Sequence, residues 1–152
     1  MSRSVLAQIA AVSTVPIMAA AHSAMHHVKT VSRYVLAVFM IVAGVLHFLN
    51  EDFYLKIMPP YLPAHRELVY LSGVCEIALG ALLLVPRFTR LAAWGIILLL
   101  IAVFPANIYL YQHTEVLPAP AWLHLLRLPL QGLFIAWAWW HTRPDDAGAL
   151  SD

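Results

Sequence analysis

Charge is what this chain has least of. Of its 152 residues, 11% are Asp, Glu, Lys or Arg, where a soluble domain carries about a quarter. That shortage excludes an ordinary soluble domain and points to a protein whose outer face meets lipid. A net charge of only +1 gives no sign of nucleic acid or another acidic polymer as a partner, and none is expected. There is one cysteine, Cys75, so no disulfide forms within the chain and no C-x-x-C pair runs thiol chemistry. No haem, flavin or iron–sulfur motif stands out, so no cofactor is evident.

Apolar side chains are abundant instead: 62% of residues are hydrophobic and the mean hydropathy is +0.77. Five Trp and six Tyr suit the membrane–water boundary, where amphipathic rings collect. Four apolar stretches, roughly 32–50, 67–85, 91–111 and 121–141, each approach the ~20 residues that cross a hydrocarbon core. Backbone polar groups in lipid must be satisfied within the segment, so these stretches are predicted helices. Short connections make neighbours antiparallel, which predicts an all-α, four-helix transmembrane up-down bundle over residues 32–143.

The flanks are less regular. Residues 1–31 form an N-terminal extension that reads three ways. They fit a cleaved signal peptide ending at Ala19–Ala21, an additional helix interrupted by Pro16, or an extension contributing little. Residues 144–152 form a polar tail expected to fray.

Orientation follows from Lys and Arg. With four spans, Arg3, Lys29, Arg33, Arg87, Arg90 and Arg143 share one side, and only Lys56 and Arg66 lie on the other. The positive-inside bias places both termini in the cytoplasm of a bacterial inner membrane, with the Pro-rich first connection facing outward. Arg87 and Arg90 read as topology determinants near lipid headgroups.

Against this background Glu76 is conspicuous. It falls about nine residues into its helix, ~14 Å deep. Ser72, Gly73, Glu76 and Gly80 share one helical face, and small residues there let a neighbour approach closely. Glu76 is therefore expected to point into the bundle. Arg127, in the last stretch, is the expected ion-pair partner, because a lone Arg in lipid costs roughly 2.5–3.5 kcal/mol. His47 and Asn107 fall at similar heights, and Pro105 frees a carbonyl one turn before it. His47, Glu76, Asn107 and Arg127 thus predict a polar site in the outer half, covered by a loop holding Pro59, Pro60 and Pro63. Its catalytic role, if any, is unknown from sequence. Each residue also has a packing explanation: a structural ion pair, a loop-capping His47, an Asn107 joining helices. His22, His26 and His27 have helical spacing that suits a metal but lack carboxylate or cysteine company, so no metal is assigned.

The stretches AGVLHFLNEDFYLKIMPPYLP, YLSGVCEIALGALLLVPRFTRLAAWG and AVFPANIYLY resemble the DoxX-like family of small bacterial membrane proteins. The likeness runs from about Arg33 to His141. It rests on His47 and Phe48, Pro60 and Pro63, Ser72, Gly73, Glu76 and Gly80, Pro86 and Arg90, and Pro105, Ala106 and Asn107. It implies a four-helix integral membrane protein. One branch of the family is named for a subunit of a thiosulfate:quinone oxidoreductase, and related proteins are linked to redox homeostasis, methylamine-dehydrogenase maturation or membrane-protein assembly. Fold alone does not fix function. Three functions follow as expectations. The first is an accessory subunit that binds another membrane protein or a second copy of itself. The second is a redox component holding a quinone or other small molecule, with His47 and Glu76 handling protons. The third is a transporter of protons or a small solute, against which stands an inner half almost without polar residues.

Overall fold

The computed structural model describes residues 3–117 and 120–143. Every regular element among them is helical: α1 (Arg3–Leu49), α2 (Glu51–Lys56), α3 (His65–Leu84), α4 (Thr89–Gln112) and α5 (Ala121–Thr142), with short 3₁₀ turns at Pro86–Phe88 and Thr114–Val116. Three stretches are long and apolar enough to cross a membrane: His22–Leu49, His65–Leu84 and Pro86–Gln112. The 22 residues of α5 have the length. It is not among those three, and His124, Arg127, Pro129 and Gln131 interrupt its apolar sequence.

The N-terminal segment is not a separate fifth helix. No turn divides it from the first span, and α1 runs unbroken for 47 residues. At 1.5 Å per residue that is about 70 Å, more than twice a hydrocarbon core. The boundary expected after residue 31 falls inside this helix. The polar tail, residues 144–152, lies outside the described residues.

Helix packing follows chain order, α1 on α3, α3 on α4 and α4 on α5. The α1–α3 contact is the most intimate, and glycine explains why. A Cβ on Gly44 would sit 2.6 Å from the Gly73 carbonyl oxygen, and one on Gly80 would sit 2.8 Å from that of Ala37. Ala37 and Gly44 are seven residues apart on α1; Gly73 and Gly80 are seven apart on α3. Two antiparallel helices with small residues at this spacing can approach to backbone contact. At the next contact Leu79 packs onto the flat face of Gly95.

α5 returns beside α1 at a greater distance, bridged by long side chains. Phe39 stacks on Phe134 with centroids 4.7 Å apart. Trp137 Nε1 donates to Ser32 Oγ at 2.6 Å, and Ser32 Oγ meets His141 Nε2 at 3.2 Å. The apolar core lies toward this end, where Leu36, Ala37, Met40, Leu83, Ala92, Ile96, Ile97 and Ala138 cluster. Large apolar side chains such as Val38, Val74, Leu98 and Leu133 face outward along the helices, as lipid-facing positions require.

Candidate functional site

The geometry begins with Gly73. Because it lacks a side chain, α1 passes with the His47 Cβ 2.8 Å from where a Gly73 Cβ would stand. One turn further along α3, Glu76 lies against Gly44 and faces His47. Glu76 Oε2 is 3.5 Å from His47 Nδ1, and both side chains are largely shielded, at 14% and 11% exposure. The Nδ1 hydrogen is directed mainly to the Ala43 carbonyl, at 3.0 Å. A carbonyl only accepts, so Nδ1 carries the proton in this contact. Glu76 Oε2 is buried and has no hydrogen-bond donor among the described residues, and the same holds for Ser72 Oγ one turn earlier.

Tyr54 completes the site and comes from α2, in the connection. Its ring stacks on the His47 imidazole with centroids 3.8 Å apart. Burial pushes the Tyr54 phenol above its ordinary range; the Glu76 charge adds to this and the Arg127 charge opposes it. Tyr54 therefore lies within the electrostatic reach of both groups. Nothing in its local sequence marks it, since an aromatic residue in a connection between spans is commonplace at a membrane boundary.

The expected Glu76–Arg127 ion pair is not formed. Among the described residues the imidazole facing the Glu76 carboxylate is that of His47, 3.5 Å away, and Arg127 makes no ion pair. The reason is the helix arrangement: α3 packs against α1 and α4, whereas α5 packs against α4 and, more loosely, α1. The Glu76 face of α3 is turned to α1.

Nor does Asn107 join Glu76. Its Nδ2 donates to Gln131 Oε1 at 2.9 Å, and Gln131 Nε2 donates to the Leu100 carbonyl oxygen. Leu100 precedes Ile101, the residue whose carbonyl loses its partner at Pro105. The four expected site residues thus divide into a His47–Glu76 pair on α1 and α3, an Asn107–Gln131 clasp between α4 and α5, and Arg127, which makes no ion pair among the described residues. His124 was not anticipated: it is 1% exposed, and neither ring nitrogen has a hydrogen-bond partner among the described residues. It lies seven residues before Gln131 and fourteen before Ala138, so the three form one buried stripe.

The connection over this end is tied down. Pro59 is fully buried, while Pro60 and Pro63 face outward. The Pro59 carbonyl accepts from the Leu62 backbone at 3.1 Å and from His65 Nε2 at 3.0 Å. Glu51 accepts from the Tyr70 hydroxyl at 2.7 Å and pairs with Arg66 at 2.6 Å. Ala64 enters α3 in the left-handed region, φ 54 and ψ 50, at a cost of roughly 1–2 kcal/mol for an L-residue.

Residues 36–142 match the family described as Domain of unknown function (DUF8561), and the chain belongs to that family. No curated protein and no solved structure matches it.

Proposed function

We propose that the protein is a four-helix, up-down transmembrane protein of the DoxX-like type, with α5 as its fourth span. It acts as an accessory subunit of a redox-linked membrane system in the bacterial inner membrane, with both termini cytoplasmic. The observation that carries this reading is the carboxylate of Glu76, which is sheltered between α1 and α3, contacts His47, and retains one oxygen without a donor. A buried acceptor of this kind costs about 1–3 kcal/mol until a donor reaches it. A partner that supplies an N–H or O–H through the connection removes that cost. Two large apolar side chains are exposed in and beside the connection at this end, Leu49 at 73% and Tyr61 at 68%. Such side chains suit burial against a second membrane protein.

The stacked His47 and Tyr54 rings favour a second reading, in which the incoming molecule is a quinone. Its ring would meet the aromatic faces and its carbonyl would meet the polar edge. Purification from native membranes in a mild detergent separates the two. A second protein at stoichiometric ratio, lost in Glu76→Ala, supports the accessory role. Quinone extracted from the wild type and absent from His47→Ala supports the second reading. Neither species, from membranes of the native host, overturns both.

A further inference from the structure

We propose that a cavity at the opposite end of the molecule binds a phosphate-bearing anion, either the headgroup of an acidic glycerophospholipid or a free phosphate compound. The cavity has a volume of about 200 Å³, and Lys29, Arg33, Arg87, Arg90 and Arg143 line it. These are five of the nine Lys and Arg residues in the whole chain. They come from α1, from the turn before α4, from α4 itself and from the residue that ends α5, so folding, not local sequence, assembles them. Among the described residues no acidic side chain lines the cavity.

A topology signal alone does not need this arrangement. The positive-inside bias asks only that Lys and Arg stand beyond the ends of the spans; it does not ask that they converge on one concavity. The guanidinium groups of Arg33, Arg87, Arg90 and Arg143 gathered around one open cleft repel one another, and an anion among them lessens that repulsion. Arg33, Arg87, Arg90 and Arg143 make no ion pair among the described residues. Arg33 reaches the Thr89 hydroxyl at 3.3 Å, yet its Nε is buried and has no hydrogen-bond partner among those residues. Arg87 lies over the Phe88 ring at 4.4 Å and Arg143 over the Trp139 ring at 3.8 Å, which steadies both side chains.

The chemistry favours phosphate. Guanidinium forks match phosphate oxygens in pairs, and the neighbouring Thr89 hydroxyl is a further donor. The cavity is smaller than the ~300–1,000 Å³ of a drug-sized site, so it takes a headgroup and leaves acyl chains outside. Basic clefts between spans at the membrane surface recognise acidic lipid headgroups in this way.

The test uses the full chain, because Asp145 and Asp146 follow Arg143 and lie outside the described residues. Native mass spectrometry measures lipid retention from nanodiscs of phosphatidylcholine with or without phosphatidylglycerol. The wild type is expected to retain phosphatidylglycerol selectively. The triple variant Arg33→Gln, Arg87→Gln, Arg90→Gln is expected to bind it on the order of 100-fold more weakly. The corresponding triple Lys variant, which keeps both charge and topology, is expected to bind within about tenfold of wild type. Should the Gln triple fail to fold, Arg90→Gln alone is expected to weaken retention about fivefold. Competition by inorganic phosphate in phosphatidylcholine nanodiscs assigns the site to a soluble phosphate compound, and retention untouched by it assigns the site to lipid. Equal retention of the two lipids with no phosphate binding, or a folded Gln variant indistinguishable from wild type, overturns the proposal.

Discussion

The α1–α3 seam and the α4–α5 seam hold helices together by different means. In the first, Gly44, Gly73 and Gly80 remove side chains until one backbone touches the other. In the second, Gln131 reaches from α5 to Asn107 and to the Leu100 carbonyl of α4. Between spans in lipid there is no hydrophobic drive to associate, because the acyl chains are as apolar as leucine. What remains is close contact or polar contact, and the two seams show one of each. The glycine seam tolerates no added volume; the polar seam tolerates volume but not loss of its donors.

Added volume separates the seams most sharply. A Cβ at Gly73 would meet His47 Cβ at 2.8 Å and the Gly44 carbonyl oxygen at 2.9 Å, whereas one at Gly132 on α5 would meet nothing within 4 Å. Gly73→Ala is therefore expected to lose about 1–3 kcal/mol. Gly132→Ala is expected to be neutral or to gain about 0.5–1 kcal/mol. Reversible unfolding in mixed micelles measures both, and equal effects would erase the distinction.

Coupling energies come next in size. A double-mutant cycle with His47→Ala and Glu76→Gln should return about 1 kcal/mol, as expected for residues in contact. The cycle with Arg127→Gln and Glu76→Gln should be additive within about 0.5 kcal/mol. A larger value for the second pair would restore the ion pair that the helix arrangement separates.

On the polar seam, Gln131→Leu should cost about 0.6–1.7 kcal/mol, the ordinary range for interhelical hydrogen bonds in membranes. Asn107→Leu added to it should cost little more, since the Asn107 amide has then already lost its acceptor.

The smallest effect is electrostatic. Tyr54 is expected to ionise above its ordinary value, about 10. Removing the negative charge in Glu76→Gln should lower that midpoint, because tyrosinate no longer faces an anion. Removing the positive charge in Arg127→Gln should raise it. Ring-labelled NMR across alkaline pH reads both directions, and two unmoved midpoints would detach Tyr54 from both groups.

The helical segments were legible because lipid leaves the backbone few choices, and an apolar run near twenty residues is close to sufficient evidence. The Gly73 and Gly80 face was legible for a similar reason: a repeating spacing survives in one dimension. Gly44 carries the matching signal, seven residues after Ala37, and could have been found by placing the two helices antiparallel. The partner of Glu76 was not legible. Depth alone admitted both Arg127 and His47, and the choice depends on which helices are neighbours, which chain order does not dictate. Tyr54 was hidden because its position depends on the path of the connection. The basic cavity was hidden because Lys29, Arg87 and Arg143 are far apart in sequence and each looks like a topology charge on its own.

The heptad spacing of the glycine seam has one further consequence. A ruler marked every seven residues can slip by one division, but Gly44 would then face Gly80 while Gly73 faced Glu51 and Ala37 faced Arg87, so a single small pair would be left. The same shift would part His47 from Glu76. The pair thus acts as an index mark at the one notch where both small pairs also meet.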